Sequence, residues 1–376
     1  METLTNRIKK IDNMINDIMG EHTVGMSVSI VKEDRVIFSK GFGYSQLEPV
    51  KKPIDEDTIM SIQSVTKNFV ATCILQLAEK GLINLDVPLV VYLPYFRTQD
   101  KQLSDQITVK HILSHTAGFP SDLGIANLIA PNVMEVYSDT PTEWSEALAH
   151  YNLSEQEIAS IQSREDITRW FRKVDLEYLP GEGWNYCTDA FVILGDLIEK
   201  VTGENWELHL RNNVLTPLHM KRTTWDSQAV IEDSNYAKYY LGFEKNETPY
   251  PMNPVAAPIG FLYSTANELA SYMLFHLNFS SPANLELYSK KQMQKPVSLV
   301  SKPWNNEDNT IYYGIGWFIE KYKGQTIIEH GGGQLAVRAL LSLVPEERMG
   351  VAVLLNFDST IHRLVSRRII DILLDI

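Results

Sequence analysis

The 376-residue chain has only two cysteines, Cys73 in an apolar helical run and Cys187 in a polar turn. Two thiols do not make a disulfide framework, and both read as packing residues. Basic charge is scarce as well: 34 Lys and Arg stand against 47 Asp and Glu, a formal net charge of −13. That excludes the clustered cations of a nucleic-acid or anionic-membrane surface, so neither partner is expected. No apolar run approaches the roughly eighteen residues that span a bilayer. The first helix, with Leu4, Ile8, Ile11, Ile15 and Ile18 spaced by three and four, lacks the continuous apolar core of a secretory signal. The expectation is a cytoplasmic protein.

Other absences remove reaction classes. No Gly-x-Ser-x-Gly elbow occurs, so an α/β-hydrolase reading has no nucleophile. His111 and His115 stand four apart, but "HILSH" lacks the intervening glutamate of a metalloprotease helix and no third ligand is evident; local capping around "SHTAG" is the reading taken. "GFGYSQ" and "GEGWNY" lack the last glycine of a phosphate loop. No metal or other cofactor is expected. Internal repeats, low-complexity tracts and charge blocks are missing too.

What is present is ordinary folded-protein material, 44% hydrophobic and 22% charged. Met26 to Val31 and Arg35 to Phe42 read as two strands around a Glu33-Asp34 turn. From about residue 65 the period becomes helical, with Val70, Ile74, Leu77 and Ala78 on one stripe and Gly81 closing it. Helices, loops and prolines follow to about residue 305. Strand-like runs return at Tyr312–Ile319, Thr326–Glu329, Val337–Val344 and Gly350–Leu355, before a last helix over Ile361–Ile376. This order predicts an α+β (α/β) fold. Residues 1–61 and 306–376 would build one antiparallel sheet with flanking terminal helices, and residues 62–305 a large, mostly helical insertion. A site in the cleft between two such lobes is the natural expectation.

Two Ser-x-x-Lys tetrapeptides occur, Ser29-Ile30-Val31-Lys32 and Ser64-Val65-Thr66-Lys67. In a strand, residues three apart point to opposite faces, so Ser29 and Lys32 cannot meet. At a helix start they share a face, so Ser64 and Lys67 can. A serine hydroxyl needs a base, and a lysine whose pKa is lowered by burial can be one. A helix N-terminus would also offer Ser64's backbone N–H to an oxyanion. The tetrapeptide by itself does not separate this chemistry from a capping serine with a solvated lysine.

The surroundings of Ser64 carry more. "DTIMSIQSVTKNFVATCILQLAEKGLINLDVPLVVYLP" resembles the nucleophile segment of the serine β-lactamase and penicillin-binding-protein-like hydrolases, nearest the branch of class C β-lactamases, D-aminopeptidases and family VIII esterases. "VKHILSHTAGFP", "LPGEGWNYCTDAFVILGDLIEKVTGE", "LTPLHMKRTTW", "GFLYSTANELASYM" and "EHGGGQLAVRALLSLVP" resemble further landmarks of that family in the right order. The resemblance implies a β-lactamase/transpeptidase-like fold, with Ser64 as nucleophile and Lys67 and Tyr186 sharing a proton shuttle. It matches Tyr186-Cys187-Thr188 to the family's Tyr-x-Asn and His330-Gly331-Gly332 to its Lys/His-x-Gly, and it implies an oxyanion hole from the amides of Ser64 and Gly333. A phenol beside a lysine ammonium is expected to have its ionised form favoured. "YST" at Tyr263–Thr265 has the same local form, but motif order and the preceding Pro180-Gly181 favour Tyr186.

Thr188 stands where asparagine is commonest and His330 where many β-lactamases carry lysine, which points away from efficient β-lactam hydrolysis. The implied activity is therefore that of a serine hydrolase acting on a small ester or amide, esterase or D-amino-acid peptidase in type, with a small-molecule or short-peptide substrate. The alternative is a non-catalytic penicillin-binding-like receptor that binds, or is acylated once by, a peptide or lactam. The segment Ser121 to Tyr178, with Glu135, Asp139, Trp144 and Trp170, reads as an expanded lid over the cleft.

Overall fold

The computed structural model describes residues 2–20, 23–121, 123–131, 133, 141–150, 153–277, 286–300 and 310–376. Glu135 and Asp139 of the expected lid lie outside them. The N-terminal helix α1 (Leu4–Ile18) buries Ile11 and Ile15 and leaves its polar face wet. It is followed by β1 (Gly25–Lys32) and β2 (Arg35–Gln46), joined at Glu33 in the left-handed region (φ 57°), and by the short β3 (Lys52–Pro53). Helix α2 (Thr66–Glu79) comes next. Farther on lie α3 (Ala190–Thr202) and α4 (Ala266–His276). The chain ends with β4 (Ser298–Leu299), β5 (Ile311–Tyr313), β6 (Phe318–Tyr322), β7 (Gln325–Gln334), β8 (Val337–Val344), β9 (Met349–Leu355) and α5 (Ile361–Leu374).

These strands form one antiparallel sheet of nine, in the order β3-β2-β1-β9-β8-β7-β6-β5-β4. Its centre joins the two ends of the chain, with Met26 opposite Leu355 and Ile30 opposite Val351. Alternation then assigns two faces. Met26, Val28, Ile30, Val351 and Val353 pack with Ile11, Ile15, Val365 and Ile369 of α1 and α5. Ala339, Leu341, Ala352 and Leu354 face the helical middle with α2 and α4. Small residues let α4 come close: a Cβ on Gly350 would meet Met273 Sδ at 2.8 Å.

Three expectations need correction. The run Tyr312–Ile319 is not one strand but two, β5 and β6, because the chain turns at Gly316 (φ 73°). The strand expected at Thr326–Glu329 continues through all three glycines to Gln334. Helix α2 carries no one-sided stripe: every residue from Thr66 to Leu77 is buried, Lys67 and Asn68 included. It is a central helix covered on all sides, so its polar residues are buried along with the apolar stripe. Among the described residues no helix is long and apolar enough to cross a membrane.

Candidate active site

Ser64 lies in a single 3₁₀ turn, Gln63–Val65, that leads into α2. The residue before it, Gln63, has φ 44°, a left-handed conformation that costs a non-glycine residue on the order of 1 kcal/mol. Its amide Nε2 donates to Ser61 Oγ at 2.9 Å, which anchors the turn. One helical turn on, Lys67 is fully buried; its Nζ donates to Ser64 Oγ at 3.0 Å and to the Ile259 carbonyl at 2.6 Å. Burial lowers the ammonium from 10.5 to about 7, against a smaller upward pull from Asp189 and Cys187. A substantial fraction of Lys67 is therefore an uncharged amine at neutral pH.

Tyr186 stands on the other side of the serine. Its phenol lies 3.5 Å from His330 Nε2, and its ring is 5.2 Å from Lys67 Nζ. Burial raises the phenol well above its ordinary value, and the opposing influence of the Ser64 side chain is smaller. The expectation of a favoured phenolate is thus overturned: desolvation outweighs the nearby lysine, and the group nearest its titration point is Lys67. The ring sits in a box built by its near neighbour Trp184 and by three residues from distant segments. His115 stacks on it, Phe318 stacks from the sheet, and Trp184 and Tyr313 close the edges.

His330, expected to bind substrate, lies buried behind Tyr186 instead. Its Nε2 meets the Tyr313 hydroxyl at 3.2 Å and its Nδ1 the Gly331 carbonyl at 2.7 Å. A ring that donates through Nδ1 accepts through Nε2, so it is the neutral tautomer, and burial together with Lys67 lowers its pKa to about 3. Gly332 does not face the cleft either. A Cβ there would sit 2.2 Å from the Ile62 carbonyl, so this glycine lets β7 lie against the nucleophile turn. Ser64, Thr188 and Gly333 line one cavity of about 200 Å³ together with Gln63, Asn127, Asp189 and Gln334. Ser64 and Gly333 thus border the same recess, and among the described residues no Lys or Arg lines it.

Sequence reasoning passed over several of these groups. Asp189, 2% exposed, accepts the Ala126 amide at 2.8 Å at the foot of α3; its place directly after Thr188 was its one visible signal. Local capping around "SHTAG" is the expectation for His111 and His115: His111 closes a capping box with Thr108, whereas His115 Nδ1 accepts the amide of distant Cys187 at 3.3 Å. Of the expected lid, Ala126 and Asn127 reach the cavity wall, while Trp144 donates to Glu155 and packs with Trp170 against the main core. The Ser29–Lys32 tetrapeptide forms no such pair: Ser29 is buried on β1 and Lys32 donates to the Glu347 carbonyl. Tyr263 donates to the Pro251 carbonyl, away from the serine.

The family described as Beta-lactamase matches residues 11–374. Protein flp of Staphylococcus aureus (strain COL) is 26% identical over 360 residues, which cover 93% of this chain and 63% of that protein. Penicillin-binding protein 4* of Bacillus subtilis (strain 168) is 24% identical over 348 residues, covering 87% of this chain and 67% of the relative. The chain spans about 63% of the length of the flp proteins it matches. Among solved structures, the octameric penicillin-binding protein homologue from Pyrococcus abyssi superposes with a TM-score of 0.81 at 26% identity, covering 98% of this chain and 77% of its own. A class C beta-lactamase shares the fold, with a TM-score of 0.75 at 17% identity over 97% of this chain and 96% of its own.

Proposed function

Because the chain belongs to the beta-lactamase family, whose members are generally serine hydrolases, we propose that it cleaves a small ester or amide through an acyl-enzyme on Ser64. One observation carries this reading: the buried Lys67 amine sits 3.0 Å from the Ser64 hydroxyl at the floor of an open cavity. A lysine poised at about 7 is matched to general-base work near neutrality.

In the proposed reaction, neutral Lys67 takes the Ser64 proton as Oγ bonds to the substrate carbonyl carbon. The Ser64 and Gly333 amides receive the oxyanion. As the intermediate collapses, the bond to the leaving group breaks, and the proton returns to that group through Lys67 and Tyr186, releasing an alcohol or amine. Water then adds to the acyl-enzyme by the same route, giving the acid and regenerating Ser64. His330, whose Nε2 lies 3.5 Å from the Tyr186 phenol and 3.2 Å from the Tyr313 hydroxyl, packs behind the phenol and holds it toward the serine. Thr188 borders the acyl group.

Efficient β-lactam turnover does not fit this site. The family's lysine position is occupied by a buried, neutral histidine, and Thr188 lacks an amide's paired donor and acceptor. The reading is tested by treating wild type and Ser64→Ala with a fluorophosphonate probe, then assaying p-nitrophenyl esters and D-amino-acid amides. Wild type should label once and turn over; equal labelling of Ser64→Ala rejects the nucleophile. Labelling without turnover would identify a receptor acylated once.

A further inference from the structure

Just ahead of the nucleophile turn, the Ser61 N–H donates to the hydroxyl of Tyr239 at 2.5 Å inside the protein. Ser61 Oγ in turn accepts Gln63 Nε2 at 2.9 Å. One phenol therefore heads a short chain of bonds that ends at the residue beside Ser64. The ring of the same tyrosine packs with Ala336 and Val337 in a small apolar cluster of its own. Val337 pairs with Gln334 across the β7–β8 hairpin, and Gln334 follows Gly333. Tyr239 thus joins the two segments that border the Ser64 recess without lining that recess itself.

The tyrosine is anchored on both sides. Ala237 N–H donates to the Ile59 carbonyl at 3.0 Å, Tyr240 N–H to the Asn356 carbonyl at 3.0 Å, and the Tyr239 carbonyl accepts Thr248 N–H at 2.9 Å. Tyr239 is 1% exposed, and its ring stands 5.5 Å from that of Tyr250. What it braces needs holding. Gln63 sits at φ 44°, and a non-glycine residue keeps such a conformation only where its surroundings over-determine it. Two further restraints on this turn come from other segments: the Ile62 N–H donates to the Leu262 carbonyl, and Gly332 lies against Ile62.

An oxyanion hole works only if its donors stand where the negative charge develops, and a misplacement of about 1 Å can cost about 10²-fold in rate. We propose that Tyr239 is a positioning residue: its hydroxyl fixes the nucleophile turn, its ring fixes the hairpin, and together they set the separation of the Ser64 and Gly333 amides. The proposal rests on Ser64 being the acylated residue. Tyr240 supplies an internal contrast. Its hydroxyl accepts the Leu47 N–H at 2.8 Å, the same kind of bond on the adjacent residue, but made to the end of β2 and not to the nucleophile turn.

The test compares Tyr239→Phe with Tyr240→Phe in the full chain, by turnover of p-nitrophenyl acetate and by inhibition with phenylboronic acid. The boron takes up Ser64 Oγ, the serine proton passes to Lys67, and a boron-bound oxygen then stands where the oxyanion forms. Acylation and deacylation use the same amides, so Tyr239→Phe should lower kcat about tenfold or more with KM held within about twofold. The Ki of phenylboronic acid should rise by about the same factor as kcat falls. Tyr240→Phe should move neither value by more than about twofold. Ser61→Ala, which cuts the link to Gln63, should repeat the Tyr239→Phe pattern and decides the matter even if Tyr239→Phe does not fold. Equal effects of the two tyrosine variants, or a fall in kcat without a matching rise in Ki, would make Tyr239 an ordinary core residue and overturn the proposal. Wild-type kcat in folded Ser61→Ala would overturn it as well. Failure of the underlying hydrolase reading looks different: wild type cleaves no ester and fluorophosphonate leaves Ser64 unlabelled.

Discussion

The imidazole of His115 stacks on the ring of Tyr186 with centroids 4.2 Å apart, while its Nδ1 accepts the amide of the next residue, Cys187. The His115 carbonyl accepts the Asn185 amide at 3.1 Å and the Tyr178 hydroxyl at 3.3 Å. One side chain and its own backbone therefore pin three consecutive residues around the phenol. His115 itself sits at φ 57°, a conformation asparagine tolerates better than most residues. His115→Ala should lower kcat by about 10–100-fold with little change in KM, since a shift of about 1 Å at a reacting group costs that much. His115→Asn, which keeps the backbone conformation and an acceptor, should recover part of the loss. Steady-state kinetics on both variants check this, and wild-type kcat in His115→Ala would remove the positioning role.

Lys67 stores instability as well as reactivity. Its folded pKa of about 7 lies below the ordinary 10.5, so between these values the unfolded chain binds more protons and stability rises with pH. Lys67→Met removes both the buried charge and the base. Acylation by a p-nitrophenyl ester should drop by about 10²–10⁴-fold. Near pH 7 the variant should be more stable than wild type by about 1–2 kcal/mol, the usual sign when a strained functional group is replaced. Denaturant titrations should show that gap narrowing from pH 7 toward pH 10. A gap that widens over this range would contradict the buried-ammonium account.

The acid side of the rate profile gives a separate handle. If neutral Lys67 is the base, kcat/KM rises with pH through about 7. Asp189 pulls that pKa upward, so removing its charge lets Lys67 lose its proton more easily. Asp189→Asn should move the acid limb to lower pH while its amide oxygen still accepts the Ala126 N–H. A limb that stays in place or moves to higher pH would show that Lys67 does not govern it.

Gly332 and Gly331 differ by one residue and by what faces them. A Cβ on Gly332 would clash with the Ile62 carbonyl at 2.2 Å, backbone against backbone, whereas one on Gly331 finds only Ala339 O at 3.8 Å. Gly332→Ala should cost about 1–3 kcal/mol of stability and slow acylation by forcing β7 off the nucleophile turn. Gly331→Ala should change stability by less than about 0.5 kcal/mol. Chemical denaturation of the pair checks this, and equal costs would refute the close approach.

How far the sequence was readable follows from the range of the interactions. Met26–Val31 and Val337–Val344 show as strands because their apolar residues alternate or run on, and Ser64 and Lys67 can meet because residues three apart share a helical face. Long-range contact is what escaped. The three glycines were matched to a substrate-binding motif, and nothing near them in sequence reveals that Ile62 lies against Gly332. The depressed pKa of Lys67 and the elevated one of Tyr186 both come from burial, which no local sequence pattern displays. His115, Tyr313 and Phe318 surround Tyr186 from separate segments, and only the folded chain brings them together.

Behind the catalytic strand, on the face away from the cleft, Glu329 is 2% exposed and accepts from Arg363 at 2.7 Å, Arg367 at 2.8 Å and Ser342 at 3.0 Å. Arg367 also binds Glu320 on β6, so α5 clamps two neighbouring strands, one residue before His330. Burial alone would raise the Glu329 carboxyl, but the two guanidinium groups hold it below its ordinary 4.5. Its stabilising contribution is then full above 4.5 and is lost as pH falls below that value. Arg367→Leu strands buried carboxylates and should destabilise the protein by about 3–5 kcal/mol at pH 7. The deficit should shrink as the solution is acidified, because protonation of Glu329 removes the uncompensated charge. Arg363→Leu should cost less, since Arg363 is 30% exposed and Arg367 remains. Urea titrations at pH 7 and pH 4.5 separate these cases. A deficit in Arg367→Leu that is equal at both would mean that lost packing, not the buried charge, sets the cost.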